Sequence, residues 1–160
     1  MNTRAESILR FYAMQMSEPE HTYFCEAERA SVTGGTAPAW AMMYGLYCRE
    51  PDSFSRFHRL SVDEIWSFYE GDPFRLYLLF PDGSSKEIVM GGREKDGQVR
   101  QFCIPAGVWQ GACLEPDSLY ALYGCTTVPG FTPACFEIGR RTELTVRYPE
   151  KSGILGMLAF

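Results

Sequence analysis

Residues 63–90 read DEIWSFYEGDPFRLYLLFPDGSSKEIVM, and this stretch decides the fold class. It contains runs of aromatic and β-branched residues, each of strand length and each bounded by turn residues. The segment Pro81-Asp82-Gly83-Ser84 is a strong turn signal, because proline presets φ and glycine tolerates positive φ. The run before this turn and the run after it therefore form a predicted β-hairpin. The strands predicted in this stretch are 65–70, 74–80 and 86–90.

The same alternation of short runs and turns continues on both sides of this stretch. About nine short strands with regular turn punctuation favour a sandwich or barrel over a parallel α/β sheet. The segment Ser61–Glu64 also resembles a helix capping box, which would make 62–70 a helix. We favour a strand there because Trp66 and its aromatic neighbours have high strand preference. The further predicted strands are 39–48, 99–104, 108–114, 119–124, 134–138 and 142–148.

The N-terminal segment is the clearest predicted helix, at about 3–16. Thr3 to Glu6 fits a capping box, and apolar residues follow at helical spacing until Glu18-Pro19 ends the pattern. We predict one domain over residues 1–160, with a barrel over about 22–149 and a C-terminal tail over 150–160.

The composition excludes several classes of protein. A net charge of −5 without a basic stripe argues against nucleic-acid binding. No apolar run is long enough to span a bilayer, and the N-terminus lacks a signal-peptide core, so we expect a cytoplasmic protein. The six cysteines contain no CxxC pair and are expected to be buried free thiols. The two histidines, His21 and His58, exclude a metal site made of three imidazoles.

His58 and Glu64 bracket a compact polar segment that leads into a predicted strand. Strand alternation places Glu64 on one face with Trp66, Phe68 and Glu70. A carboxylate that leads an aromatic face is typical of a pocket wall, where desolvation raises its pKa. We expect His58 and Glu64 on facing or adjacent strands of one cavity. Neither a GxSxG motif nor a phosphate-binding glycine loop is present.

Two segments resemble the cupin motifs in degenerate form. The first cupin motif has a His, a second His two residues on, a Glu after a short gap and a Gly seven residues later. The second has Pro-x-Gly and a third His three residues on. The matching positions here are His58, Leu60, Glu64 and Gly71, then Pro105, Gly107 and Gln110. Leu60 and Gln110 thus replace two of the three cupin histidines.

A narrower resemblance, to the cupin-like family DUF985 or cupin_5, runs from about residue 18 to 149. The chain departs from that family at His21 and Thr22, where glycines are usual, at Ser67, and in an acidic stretch that is absent here. The resemblance implies a double-stranded β-helix, or jelly-roll barrel, with a central pocket, commonly paired as a homodimer. The matching stretches are 20–29, 55–60, 63–73, 81–83, 105–110 and 124–131.

Three functions remain open from the sequence. One is a metal-independent isomerase or epimerase in which His58 is the general base and Glu64 orients it or shares its proton. The second is a metal-dependent oxygenase or isomerase with a divalent metal on His58, Glu64 and Gln110. The third is a module that binds a small molecule without transforming it. We expect no cofactor in the first and third. The candidate ligand-binding residues are Tyr23, Phe24, Tyr44, Trp66, Phe68 and Gln110.

Overall fold

In residues 2–32 and 34–160, which the computed structural model describes, eleven strands form two antiparallel sheets that face each other. The first sheet has the order β1-β2-β3-β10-β5-β8 and the second β11-β4-β9-β6-β7. The predicted mainly β fold is therefore confirmed, although the strand ladders form two separate sheets and not one closed barrel. The strands are β1 (Gln15–Ser17), β2 (Thr22–Arg29), β3 (Ala41–Cys48), β4 (Ser55–Leu60), β5 (Asp63–Gly71), β6 (Phe74–Leu79), β7 (Ser85–Met90), β8 (Gln101–Ile104), β9 (Trp109–Leu114), β10 (Tyr120–Val128) and β11 (Phe136–Ile138).

The predicted hairpin is confirmed as β6 and β7, which pair from Phe74 with Met90 to Leu79 with Ser85. Gly83 has a φ of 92°, and the Asp82 side chain accepts a hydrogen bond from the Ser84 backbone N–H at 2.9 Å. Both features are what a tight turn of this composition requires. Strands β1, β2 and β4 were not among the predicted strands.

Strand β5 confirms the strand prediction for this segment over the helical alternative. Glu64, Trp66 and Phe68 face the interior, as the alternation predicts. Glu70 does not, because the register of β5 against β10 shifts by one residue beyond Phe68. Such a bulge moves the following side chains to the opposite face. Glu70 consequently binds Arg4 on the outside of the sheet.

The N-terminal helix α1 spans Thr3–Phe11 and is shorter than predicted. Its cap is Asn2, not the predicted Thr3, because the Asn2 side chain accepts from the backbone N–H groups of the first turn. The helix ends before Ala13, whose φ is 50°. Residues 12–14 therefore lie between the helix and β1, and Gln15 and Met16 belong to β1.

The prediction of a strand at 142–148 is wrong. Residues 142–148 lie in helix α2 (Arg141–Arg147) and its C-cap instead of a strand, and the predicted tail contains helix α3 (Ser152–Leu158). The helices bury Leu144, Tyr148 and Leu155 against the outer face of the second sheet, where Phe57 and Trp109 lie. Val146 is 83% exposed, as the opposite face of a helix would be. Packing outweighed the strand preference of Thr and Val here.

The interior between the sheets contains an aromatic core. Tyr47, Trp66, Phe74 and Tyr123 contact one another with ring centroids 4.6 to 6.0 Å apart. Gly45 makes this packing compatible with the sheet, because a Cβ there would lie 2.1 Å from the Tyr123 ring. In the described chain no helix is long and apolar enough to cross a membrane.

All six cysteines are free thiols, as predicted. Cys48, Cys125 and Cys135 are buried, but Cys103 is exposed, so burial was wrongly predicted for that residue. Among these thiols only Cys125 lines the interior cavity described below.

Candidate functional site

A cavity of about 250 Å³ lies between the two sheets, at the end of the interior where β5 begins. Both sheets contribute to it: β5 and β10 form one wall, and β4 and β11 form the other. Its walls are mainly apolar and aromatic with a few polar groups, which is typical of small-molecule sites. The lining residues are Ser17, Pro19, Glu20, Phe24, Glu26, Arg29, Ala41, Met42, Met43, His58, Leu60, Glu64, Trp66, Tyr123, Cys125, Thr127, Phe131 and Phe136.

His58 reaches the cavity from the second sheet. It lies on β4, paired with Gln110 of β9 and Ile138 of β11, and only 3% of its surface is exposed. Its Nδ1 is 2.8 Å from the backbone oxygen of Arg56, and its ring stacks on Phe136. A carbonyl oxygen only accepts, so Nδ1 carries a proton and donates it. In the neutral ring, Nε2 is then the basic nitrogen.

Glu64 enters the cavity from the first sheet and is held by two donors. Its Oε2 accepts from Gln110 Nε2 at 2.7 Å and from Trp66 Nε1 at 3.0 Å. Trp66 Nε1 also lies 3.0 Å from Gln110 Oε1, so the three side chains form a closed network. Burial raises the pKa of Glu64, and the charge of Glu20 raises it further, whereas His58 and the two donors oppose that rise. Because both bonds go to Oε2, Oε1 remains for other interactions.

The residues at the cupin metal positions do not fit a metal held by three histidines and a carboxylate. Leu60 offers no donor, and both ends of the Gln110 amide are engaged with Glu64 and Trp66. Within the described residues, no three His, Cys, Asp or Glu side chains are placed to share one ion. Only His58 Nε2 and Glu64 Oε1 remain from the predicted set of His58, Glu64 and Gln110.

Strand β10 supplies the polar floor of the cavity. Tyr123 stacks on Trp66 at 4.9 Å between centroids, and its hydroxyl lies 2.8 Å from Thr22 Oγ1. Thr127 lies directly across the ladder from Glu64. Its Oγ1 is the one buried side-chain oxygen or nitrogen without a hydrogen-bond partner in the part of the chain that the structure describes. A buried hydroxyl of this kind is unfavourable unless something in the cavity satisfies it.

The opening of the cavity carries charge on β2 and the turn before it. Arg29 binds Glu26 through two hydrogen bonds, one of them 2.8 Å long. Glu20 lines the cavity near this pair, and among the described residues its carboxylate forms no ion pair. The exposed side chains of Phe24 and Met42 complete the rim.

The structure brings together four of the residues that the sequence nominated, His58, Glu64, Phe24 and Trp66. Gln110 lies behind Glu64 and supports it without lining the cavity. The other three nominated residues lie elsewhere. Phe68 belongs to the packed core, and Tyr23 and Tyr44 lie on the outer face of the first sheet against α1.

Sequence reasoning missed Glu20, Tyr123, Thr127, Phe131 and Phe136. The predicted strand at 119–124 stopped four residues before the end of β10, so the inward alternation of Tyr123, Cys125 and Thr127 was not followed. Extending that strand to Val128 would have placed these three side chains on one face.

Comparisons with known proteins agree with this architecture. The sequence model of the Cupin_5 family (cupin superfamily, DUF985) matches residues 6–139. The uncharacterised protein YML079W of Saccharomyces cerevisiae is 30% identical over 119 residues, 71% of this chain and 59% of the yeast protein. The match therefore spans less than two thirds of the yeast protein's length.

Two solved structures extend the comparison. A hypothetical protein from Leishmania major has a TM-score of 0.89 at 26% identity, over 98% of each chain. A dTDP sugar isomerase from Desulfovibrio desulfuricans G20 has a TM-score of 0.52 at 16% identity, over 74% of this chain and 84% of that one. The second likeness shows the fold alone.

Proposed function

This chain belongs to the Cupin_5 (DUF985) family of the cupin superfamily, and on that premise we propose that it is a metal-independent isomerase or epimerase with His58 as general base. The observation that carries the proposal is the fixed tautomer of His58. Its Nδ1 is committed to the Arg56 carbonyl, and its Nε2 belongs to a ring that lines an aromatic cavity. A neutral imidazole held in this way is suited to accept a proton at Nε2.

The proposed reaction moves a proton next to a carbonyl group. His58 Nε2 removes the proton from the carbon beside the carbonyl, and the electron pair of the broken C–H bond moves onto the carbonyl oxygen. For isomerisation of an α-hydroxycarbonyl compound, His58 returns the proton on the same face to the former carbonyl carbon, while the α-hydroxyl proton passes to the former carbonyl oxygen. For epimerisation, water on the opposite face protonates the original carbon, and the proton that His58 releases neutralises the hydroxide left behind. The Nδ1 hydrogen bond to Arg56 persists throughout, because Nδ1 carries a proton in both states of the ring. His58 therefore changes charge without changing orientation.

Glu64 stabilises the charged form of His58. The two groups interact electrostatically, since His58 lowers the pKa of Glu64 against the effect of burial. When His58 becomes an imidazolium, the carboxylate compensates its charge at a position where both side chains are buried. Trp66 and Gln110 hold Glu64 Oε2 in place, so the carboxylate needs no reorganisation during the reaction.

The test is exchange of substrate carbon-bound hydrogen with solvent deuterium, followed by NMR on a panel of hexoses, amino-hexoses and hydroxyketones. We expect wild-type protein to catalyse exchange with at least one compound and the His58→Asn variant to lose about 10²- to 10⁴-fold of that rate. His21→Asn is the matched control, because His21 packs on Phe54 outside the cavity and asparagine tolerates its φ of 61°. Undiminished exchange in His58→Asn would refute the assignment of the base.

A further inference from the structure

We infer that the ligand of this cavity is a small organic cation: an amine seated between Glu20 and Glu64, with a hydroxyl or carbonyl group that hydrogen-bonds Thr127. This inference deepens the proposed function, because it concerns the same cavity and names the class of molecule that it accepts. It rests on the charge of the walls, the nature of the remaining surface, one unsatisfied hydroxyl and the cavity volume.

The charges that line the cavity are predominantly negative. Glu20, Glu26 and Glu64 contribute carboxylates, and Arg29 is the one guanidinium in the lining. Arg29 is bound to Glu26 through its Nε and one of its two terminal nitrogens, so the charges of that pair offset each other. Glu20 and Glu64 remain, and among the described residues the hydrogen bonds to the Glu64 carboxylate come from the neutral donors Trp66 and Gln110.

Glu20 and Glu64 line the same cavity, so the charge of one carboxylate acts on the other. Burial is the largest cause of the raised pKa of Glu64, and the charge of Glu20 raises it further. The pKa values of Cys125 and Tyr123, on the cavity floor, are likewise raised mainly by burial, with a smaller contribution from Glu20. Two carboxylates that share a poorly hydrated space repel, and a positive charge placed between them removes that repulsion. An anion placed there meets a third negative charge.

The remaining walls also favour a cation. Aromatic side chains attract positive charge through the electron density of their faces, and tryptophan does so most strongly. The cavity combines these rings with carboxylates, an arrangement suited to ammonium groups and not to phosphates or carboxylates. The aromatic residues concerned are Phe24, Trp66, Tyr123, Phe131 and Phe136.

Thr127 favours a ligand that carries a hydrogen-bonding group beside its amine. Thr127 is 4% exposed, and its Oγ1 has no partner among the described residues although the residue lines the cavity. It lies opposite Glu64 on the neighbouring strand. A ligand hydroxyl or carbonyl that bonds to Thr127 would remove this unfavourable state while its amine lies between the carboxylates.

The volume limits the size of the ligand. A cavity of about 250 Å³ is below the range of roughly 300–1,000 Å³ that drug-sized ligands occupy. A nucleotide sugar would exceed this volume and bring a pyrophosphate next to Glu20. A metal ion is not the expected cation, because no three suitable side chains converge on one point in the described chain.

The experiment measures binding by two-dimensional amide NMR with four probes: benzylamine, benzyl alcohol, benzoate and 3-(hydroxymethyl)benzylamine. The first three share a ring and differ in charge. We expect benzylamine to shift the amide signals around Tyr123 and Thr127 and to bind about tenfold more tightly than benzyl alcohol, with benzoate weakest. The hydroxymethyl probe should bind more tightly than benzylamine.

Variants assign these preferences to residues. Glu20→Gln should abolish most of the advantage of benzylamine over benzyl alcohol. Glu28→Gln, an exposed glutamate of the same strand region that does not line the cavity, should leave it unchanged. Thr127→Val should remove the added affinity of the hydroxymethyl probe only. Benzoate binding as tightly as benzylamine, equal behaviour of the two glutamate variants, or the absence of shifts with every amine would overturn the inference.

The binding series is repeated with His58→Asn, which separates this inference from the proposed function. If the order of affinities persists and no deuterium exchange occurs even in wild type, the ligand class stands and the catalytic proposal fails. If exchange depends on His58 but occurs fastest with an anionic compound, the catalytic proposal stands and the ligand class is wrong.

Discussion

The two ends of the interior lie between the same two sheets and differ in how they are filled. At one end Phe68, Phe74, Leu76 and Met90 pack together with almost no exposed surface. At the other end the same sheets enclose the cavity lined by His58. Strand β5 passes from one region to the other within a few residues.

The packed end therefore stabilises the fold, and the cavity end contains the groups of the candidate site. Burial of large apolar side chains at the packed end supplies the free energy that holds the sheets together. The cavity end can then contain a raised-pKa carboxylate and an unpartnered hydroxyl, each of which is unfavourable for folding. Substitutions at the packed end should therefore reduce mainly the stability of the fold, and substitutions at the cavity end should reduce mainly ligand binding.

The largest expected effect is at the packed end. Phe74→Ala should lower the free energy of unfolding by about 3–5 kcal/mol, because Phe74 is fully buried and its removal leaves a cavity. Phe24→Ala, at the rim and 37% exposed, should lower it by less than about 1 kcal/mol. Chemical denaturation of both variants measures the contrast. Equal losses would show that the two ends contribute alike to stability.

The inward face of β5 could be predicted because alternation is a local property. Glu64, Trp66 and Phe68 follow a period of two, and the flanking turns fix the length of the strand. The hairpin at Pro81–Ser84 was predictable for the same reason. What alternation does not show is that Phe68 meets the packed core while Glu64 meets a cavity, since that depends on the opposite sheet.

The misplaced residues share a cause in tertiary structure. Tyr23 and Tyr44 lie on the outer face because α1 covers that side of the first sheet and gives it a second apolar surface. Residues 142–148 contain strand-favouring Thr and Val, but the outer face of the second sheet selects a helix. Neither covering element can be assigned to its sheet from periodicity alone.

The second-largest expected effect concerns the hydrogen-bond network around Glu64. Trp66→Phe removes the indole N–H that lies 3.0 Å from both Glu64 Oε2 and Gln110 Oε1. We expect a loss of about 1–3 kcal/mol in the free energy of unfolding, because buried acceptors lose their donor. Trp109→Phe is the matched control, since among the described residues the Trp109 indole N–H has no hydrogen-bond partner in the protein. A cost no greater than that of the control would show that the network contributes nothing to stability.

The third effect depends on pH and has opposite signs at two glutamates. Burial raises the folded-state pKa of Glu64, so its stabilising contribution is present below the unfolded-state pKa and is lost as pH rises through the folded-state value. Glu64→Gln should therefore gain stability relative to wild type between acid and neutral pH. Arg4 lowers the folded-state pKa of Glu70, so the stabilising contribution of Glu70 is present above its unfolded-state pKa and is lost as pH falls through the folded-state value. As pH rises through that acidic range, Glu70→Gln should therefore become less stable relative to wild type. Unfolding curves that move in the same direction would contradict this assignment.

The smallest effect concerns the two threonines beside Tyr123 and Glu64. Thr22→Val deprives the buried Tyr123 hydroxyl of its partner at 2.8 Å and should cost about 1 kcal/mol. Thr127→Val replaces a hydroxyl that has no partner within the described chain, so it should leave the free energy of unfolding unchanged or raise it by about 0.5 kcal/mol. Thermal unfolding of both variants, without ligand and with a binding amine, measures this difference. A hydroxyl whose loss does not destabilise the protein but weakens ligand binding is positioned for the ligand, at a small cost to the fold. If Thr127→Val destabilises as much as Thr22→Val, its hydroxyl serves the fold, and the cavity end is less specialised than the comparison implies.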